Sequence, residues 1–234
     1  MQPAPGGHVE AAVILAGGRS SRLGGVPKAA LIADGDTLLG STVAAARAAV
    51  GGGSVVVVGP PLELSGMLRG VPQVVIVGED PPFSGPASGL AAGLDAIPAG
   101  AAVPSGQRAE GAPDSSAGGG LILVLACDMP LVRTAVTALL GWAAETRRDG
   151  DGCLAVDNGR EQPLVALYRR SRLLRAVEKA RGQGVLDNGS VFRLIASLDI
   201  TRLNVPPGCT ADVDTWADAQ ALGVTGSGQA ERQS

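Results

Sequence analysis

The segment Leu15–Lys28, LAGGRSSRLGGVPK, concentrates residue types suited to one chemistry, the holding of a triphosphate. Gly17 and Gly18 carry no side chains, so backbone amides there can approach an anion closely. Ser20 and Ser21 add hydroxyl donors. Arg19, Arg22 and Lys28 add positive charge. Gly24 and Gly25 allow the loop to fold back and bring Lys28 to the same pocket. The chain has lysine only at Lys28 and Lys179, so a lysine in this loop is not filler. The loop lacks the GxxxxGK[ST] pattern of a P-loop and the GxGxxG pattern of a dinucleotide site.

Transfer of a nucleotidyl group is an in-line attack of an acceptor phosphate on the α-phosphorus, with pyrophosphate leaving. It calls for positioning and charge neutralisation, normally with Mg2+. Magnesium binds carboxylate oxygens. Asp128 ends the apolar run in LILVLACDMP and stands where a strand would stop. It reads as a metal ligand or as the N-cap of the following helix. Asp80, in VGEDPPFSGPASGL, is a second candidate, with Glu79 as its exposed neighbour. Asp212 and Asp214, in ADVDTWADA, form a third acidic group. Asp214 is either a second metal ligand or, with Thr215, a helix cap.

These residues require a scaffold that brings strand ends together. Val9–Ala16, Val55–Val58, Val74–Val77 and Leu121–Ala126 are continuous apolar runs, as expected of strands covered on both faces. Helical stretches lie between them. Ser41–Val50 opens on a Ser/Thr pair suited to capping, and Gly85–Ile97 and Val132–Arg147 carry apolar residues at helical spacing. The alternation predicts an α/β fold, a Rossmann-like doubly wound, mostly parallel sheet. Cys153–Val156 and Pro163–Tyr168 flank Asp157–Gly159 as a C-terminal hairpin. Ser171–Arg181 reads as a charged helix, Ile195–Leu203 as extended and Thr215–Leu222 as a last helix. A single domain over 9–224 is expected, with flexible tails at 1–8 and 225–234. The Gly/Ala/Ser/Pro-rich stretch 98–120 reads as a disordered insertion.

Composition narrows the chemistry. The 234 residues carry a formal charge of −3 with one histidine, His8, and three cysteines, Cys127, Cys153 and Cys209. No basic face for nucleic acid is expected. The lone histidine is isolated in a Pro/Gly-rich tail, which argues against a His-rich metal site or a Ser-His-Asp triad, and the wide cysteine spacing argues against a zinc site or disulfide framework. The start MQPAPGGHVE lacks the pattern of a secretory signal, and no apolar run reaches membrane-spanning length. A cytoplasmic enzyme is expected.

The pattern LAGG-x-S-x-R-hydrophobic-G followed by Lys28, together with CDMP, resembles the molybdenum cofactor guanylyltransferases, the MobA-like nucleotidyltransferases. The resemblance spans roughly Val9–Leu222 outside 98–120. It implies a nucleotide-diphospho-sugar transferase-like fold and transfer of GMP from GTP to molybdopterin with Mg2+. It places Leu15, Ala16, Gly17 and Gly18 around the nucleotide, Arg22 and Lys28 at the phosphates, Asp80 at the nucleoside and Asp128 on the metal, with Asp214 as a possible second ligand. Gly17–Gly18 leans towards guanine. The asparagine that family members often carry after the second strand is replaced here by Val58, Gly59 and Pro60. The hairpin Gly159–Arg170 borders the acceptor in such enzymes and draws attention to Gln162, Pro163 and Tyr168. The stretch DNGSVFRLIA, facing the pterin, does the same for Asn188, Ser190, Arg193 and Phe192. Alternatives are cytidylyl transfer, transfer to another phosphorylated acceptor, and a non-catalytic nucleotide-binding partner in molybdoenzyme maturation.

Overall fold

A computed structural model describes residues 7–18, 21–98, 120–145 and 150–226. The predicted insertion lies almost wholly outside the described residues, as do the outer parts of both predicted tails. Gly7 and Thr225, placed in those tails from sequence, are hydrogen-bonded to Ala143 and Ile32.

The centre is one seven-stranded sheet. Its strands are β1 (Val9–Leu15), β4 (Ser54–Val58), β5 (Val74–Val77), β6 (Leu121–Ala126), β7 (Gly152–Asp157), β8 (Arg160–Arg169) and β9 (Ile200–Asn204). Their order is β5-β4-β1-β6-β8-β7-β9, and only β8 runs against the others. The apolar runs read from sequence are β1, β4, β5 and β6, all parallel to their neighbours among these four. Asn158 (φ 49°) and Gly159 (φ 79°) form the two-residue turn between β7 and β8. Positive φ at both positions matches the twist of a tight hairpin, and Asn-Gly is the pair that adopts it most readily. A small hairpin, β2 (Ile32–Ala33) with β3 (Asp36–Thr37), stands apart from the main sheet.

Alternate residues of the strands feed two cores. One face, with Ala12, Ile14, Val55, Val57, Leu123 and Leu125, is covered by α1 (Leu38–Val50), α2 (Pro61–Met67) and α4 (Val132–Ala144). The other, with Ala11, Val13, Val56, Val58, Ile122 and Val124, is covered by α3 (Pro86–Asp95), α5 (Arg170–Gly182) and α6 (Val191–Ile195). Helix α3 packs so closely that a Cβ on Gly93 would stand 2.4 Å from a Val13 methyl.

A third apolar cluster unites Leu23, Leu31, Ala33 and Leu38 with Val213, Ala219 and Val224 from α7 (Trp216–Ala221) and its flanks. Each fully buried Leu or Val contributes about 1.5–3 kcal/mol. This cluster therefore fastens the end of the glycine-rich loop to the C-terminal segment.

Some boundaries differ from the sequence reading. Helix α1 starts three residues before Ser41, capped by Thr37, whose hydroxyl accepts the Gly40 N–H. Thr42 is interior and donates to the Leu38 carbonyl. Ile195 closes α6 rather than opening a strand, because Ser190 caps a helical turn by accepting the Arg193 N–H.

Candidate active site

Strand order reverses between β1 and β6, since β4 and β5 lie on one side and β8, β7 and β9 on the other. Crevices at such switch points, beyond the carboxyl ends of the strands, are where open α/β sheets bind ligands. Leu15 and Ala126 are register partners at this edge. The glycine-rich loop therefore leaves β1 beside the Cys127–Asp128 turn that leaves β6.

The loop geometry follows from its glycines. The Ala16 N–H donates to the Val58 carbonyl, continuing the sheet by one residue. Gly17 and Gly18 are exposed. Ser21–Leu23 forms a 3-10 turn, and Gly24 (φ 67°) and Gly25 (φ 84°) both take left-handed conformations that reverse the chain. Leu23 then anchors the loop in the third cluster, and Lys28 opens a second 3-10 turn.

The Lys28 ammonium donates to Asp128 Oδ2 at 2.8 Å and to Asp214 Oδ1. Arg22 Nη1 lies 3.5 Å from Asp214 Oδ2, with its side chain 72% exposed. Asp128, Asp212 and Asp214 each offer a carboxylate oxygen within 4.8 Å of the others. Burial alone would lower the Lys28 pKa. The charge of Asp128 and the hydrogen bonds to Asp128 and Asp214 outweigh it and hold the ammonium above its ordinary value. Thus a cation already sits where three carboxylates converge, and that is the donor set a hard divalent ion prefers.

Neither aspartate is a helix cap. The N-cap of α4 is Leu131, and α7 is capped by Thr215 in a reciprocal box with Asp218. The Val213 N–H donates to the Asp128 carbonyl, tying the two acidic segments together. The Cys127 thiol is buried, and burial pushes its pKa far up, so it is an inert neighbour.

Asp80 is exposed and, among the described residues, has no hydrogen-bond or ion-pair partner. Glu79 is the acidic residue turned towards the glycine loop. It accepts the Ser84 N–H at 3.0 Å, and its Oε1 is 3.4 Å from where a Cβ on Gly17 would stand. The sequence reading had Glu79 as the exposed member of the pair. Beside Gly17 opens a cavity of about 290 Å³, lined by Gly59, Pro60, Pro61, Glu79 and Phe83 among others.

Of the hairpin residues singled out from sequence, Tyr168 is fully buried in the second core and donates to the Pro163 carbonyl at 2.8 Å. It is a structural residue. Gln162 faces a smaller polar cavity with Asp157, Arg160 and Asp212. Ser190 and Arg193 line a separate cavity beside α5, and Phe192 is half exposed. The residue missed from sequence is Asp157, taken there as part of a turn. Its carboxylate is buried and holds the loop that carries Asp212.

A protein-family model for MobA-like NTP transferase domains matches residues 12–199. The chain belongs to this family. MobA-like NTP transferase domains are nucleotidyltransferases, and the fold agrees across solved structures. The molybdopterin-guanine dinucleotide biosynthesis protein A from Archaeoglobus fulgidus superposes with a TM-score of 0.60 at 17% identity, covering 91% of this chain and 96% of that one. Rv0371c from Mycobacterium tuberculosis gives 0.64 at 20% identity over 93% and 98%. The 2-C-methyl-D-erythritol 4-phosphate cytidylyltransferase from Thermus thermophilus gives 0.56 at 19% over 92% and 97%. At these identities the likeness is one of fold. No curated protein sequence matches the chain significantly. Asp212 and Asp214 lie beyond the stretch matched to the MobA-like model. Among the described residues no helix is long and apolar enough to cross a membrane.

Proposed function

We propose that this MobA-like domain transfers GMP from GTP to the phosphate of molybdopterin. An oxygen of the acceptor phosphate bonds to the α-phosphorus of GTP, the bond from that phosphorus to the bridging oxygen breaks, and pyrophosphate leaves with the bond's electron pair. The observation that carries the reading is Lys28. A loop lysine directly after a glycine-rich βα turn reaches the strand-end carboxylate Asp128 at 2.8 Å.

On this reading Leu15, Ala16, Gly17 and Gly18 hold the nucleotide, with Asp80 at the nucleoside. The cavity beside Gly17 has room for a base and apolar walls to cover its faces. Arg22 and Lys28 neutralise the phosphates and orient them for in-line attack. Asp128, with Asp214 and Asp212, has the oxygen donors to hold Mg2+, which when bound supplies neutralisation of the charge gathering on the leaving pyrophosphate. When a triphosphate enters, Lys28 exchanges its carboxylate partners for phosphate oxygens.

The test is incubation with each of the four nucleoside triphosphates, Mg2+ and molybdopterin, reading pyrophosphate and the pterin product. GTP-dependent formation of the guanine dinucleotide is expected. A cytidine adduct would reassign the base, and the absence of pyrophosphate with every nucleotide would refute the proposal.

A further inference from the structure

Between β9 and α7 the chain runs from Val205 to Thr215 without regular structure, yet it carries Asp212 and Asp214. A loop of this kind has many conformations, and a metal-facing carboxylate must be held within about 0.5 Å of its working position. The loop's Asp214 end is held by α7, where the Asp214 N–H donates to Asp218 Oδ2 at 3.2 Å, and by burial of Val213 in the third cluster. The Val205 N–H donates to the Val156 carbonyl at one end, and the Val213 N–H to the Asp128 carbonyl at the other. Between them stands Asp157, the last residue of β7.

Asp157 is 4% exposed. Its Oδ1 accepts the Gly208 N–H and the Asn158 side-chain amide, both at 2.9 Å. Its Oδ2 accepts the Thr210 N–H and the Thr210 hydroxyl, both at 2.9 Å. Among the described residues no cation pairs with it. A buried carboxylate without a counter-ion is costly unless its oxygens are fully hydrogen-bonded, and these are. Three of these bonds run from one rigid strand end to the Gly208–Thr210 turn and specify a single arrangement of it, and Thr210 is two residues from Asp212.

We propose that Asp157 is a positioning residue whose buried carboxylate fixes the Gly208–Thr210 turn and thereby sets where Asp212 stands relative to Asp128 and Asp214. The inference rests on the reading of those three carboxylates as metal ligands. Asp157 itself faces its own donors, not the convergence point. Loss of a partner bonded directly to a metal ligand typically weakens metal affinity about 10- to 100-fold, and Asp157, which acts one step further out through the turn, is expected at the lower end of that range.

The test uses the full chain holding a non-hydrolysable GTP analogue. Mn2+ is titrated in, free ion is counted by electron paramagnetic resonance, and Asp128→Asn serves as the baseline for a lost site. Asp157→Asn turns an acceptor into a donor facing the Thr210 N–H. It is expected to need about tenfold more Mn2+ than the wild type, while the analogue's affinity in EDTA stays within about twofold. Turnover of Asp157→Asn should recover as Mg2+ is raised, which a merely unfolded fraction would not do. Thr210→Val keeps the carboxylate and removes one donor. It should shift the Mn2+ midpoint about threefold, and it provides the reading if Asp157→Asn does not fold. Wild-type Mn2+ affinity in both variants would overturn the proposal, as would an equal loss of analogue binding in EDTA. A wild-type chain that binds Mn2+ no better than Asp128→Asn would instead overturn the metal reading itself.

Discussion

Replacing Lys28 by Met should destabilise the ligand-free protein and at the same time make it more responsive to metal. Its bond to Asp128 is a charge-assisted pair at 2.8 Å with side chains 21% and 20% exposed. Such a bond contributes about 1.5–3 kcal/mol. The pair with Asp214, whose side chain is 45% exposed, adds about 0.5 kcal/mol after solvent screening. Loss of both is about 2–3.5 kcal/mol. For a chain of this size that is a fall in Tm of about 5–10 °C in EDTA. Mn2+ can then take the place the ammonium left. At a hundred times its Kd it returns about 2.7 kcal/mol, enough to restore the Tm. In the wild type the same ion must first displace Lys28, so its Tm should rise much less. The assay is thermal melting of both proteins in EDTA and across a Mn2+ series. Equal melting temperatures in EDTA, or equal rises with Mn2+, would refute the reasoning that Lys28 and a metal share the same carboxylates.

Asp128→Asn should lose Mg2+-dependent turnover by about 10³-fold or more while keeping weak nucleotide binding, measured by pyrophosphate release and equilibrium titration. Gly25→Ala places a side chain at φ 84° and should cost about 1–2 kcal/mol, read as nucleotide affinity weakened roughly tenfold. Gly66→Ala, inside α2 with open space around it, should leave that affinity unchanged. Burial would raise the Asp157 carboxyl, but the donors from Thr210 and Gly208 outweigh it and hold it below the usual carboxylate range. A depressed folded pKa gives stability that is complete above the unfolded value of about 3.9 and is lost as pH falls through the folded one. The stability gap between wild type and Asp157→Asn, from denaturant melts, should therefore be constant above about pH 5 and shrink below about pH 4. A gap that is the same at pH 3 and pH 7 would contradict this account.

The parallel half of the sheet was legible because burial on both faces leaves an unbroken apolar run, as in Val55–Val58 and Leu121–Ala126. Asn158–Gly159 announced the hairpin because few other pairs tolerate positive φ twice. Helix α2 was missed because it is short and buries only Leu64 deeply, which leaves no periodic stripe. In the site, the glycine loop and Asp128 were readable as local motifs. The ambiguity between cap and ligand at Asp214 was not local. The cap reading is set aside by Thr215 and Asp218, which cap α7 themselves, while Asp214 accepts from Lys28, 186 residues away. Asp157 gave no local sign, since an aspartate before Asn-Gly is an ordinary turn residue. Its partners lie 51 and 53 positions further on.

The fastening of the glycine loop to Val213, Ala219 and Val224 has a consequence for the order in which the molecule is made. A chain leaves the ribosome N-terminus first, and early segments settle before late ones exist. Strands β1, β4, β5 and β6 can pair before the segment from Val205 to α7 has been added. During that interval Leu23 and Leu31 lack the cover of Val213, Ala219 and Val224, and Lys28 meets Asp128 without Asp214. The nascent chain therefore carries its glycine-rich loop before it carries Asp212 and Asp214. On the proposed reading competence arrives only with α7, so a chain stalled near residue 200 is expected to turn over no nucleotide.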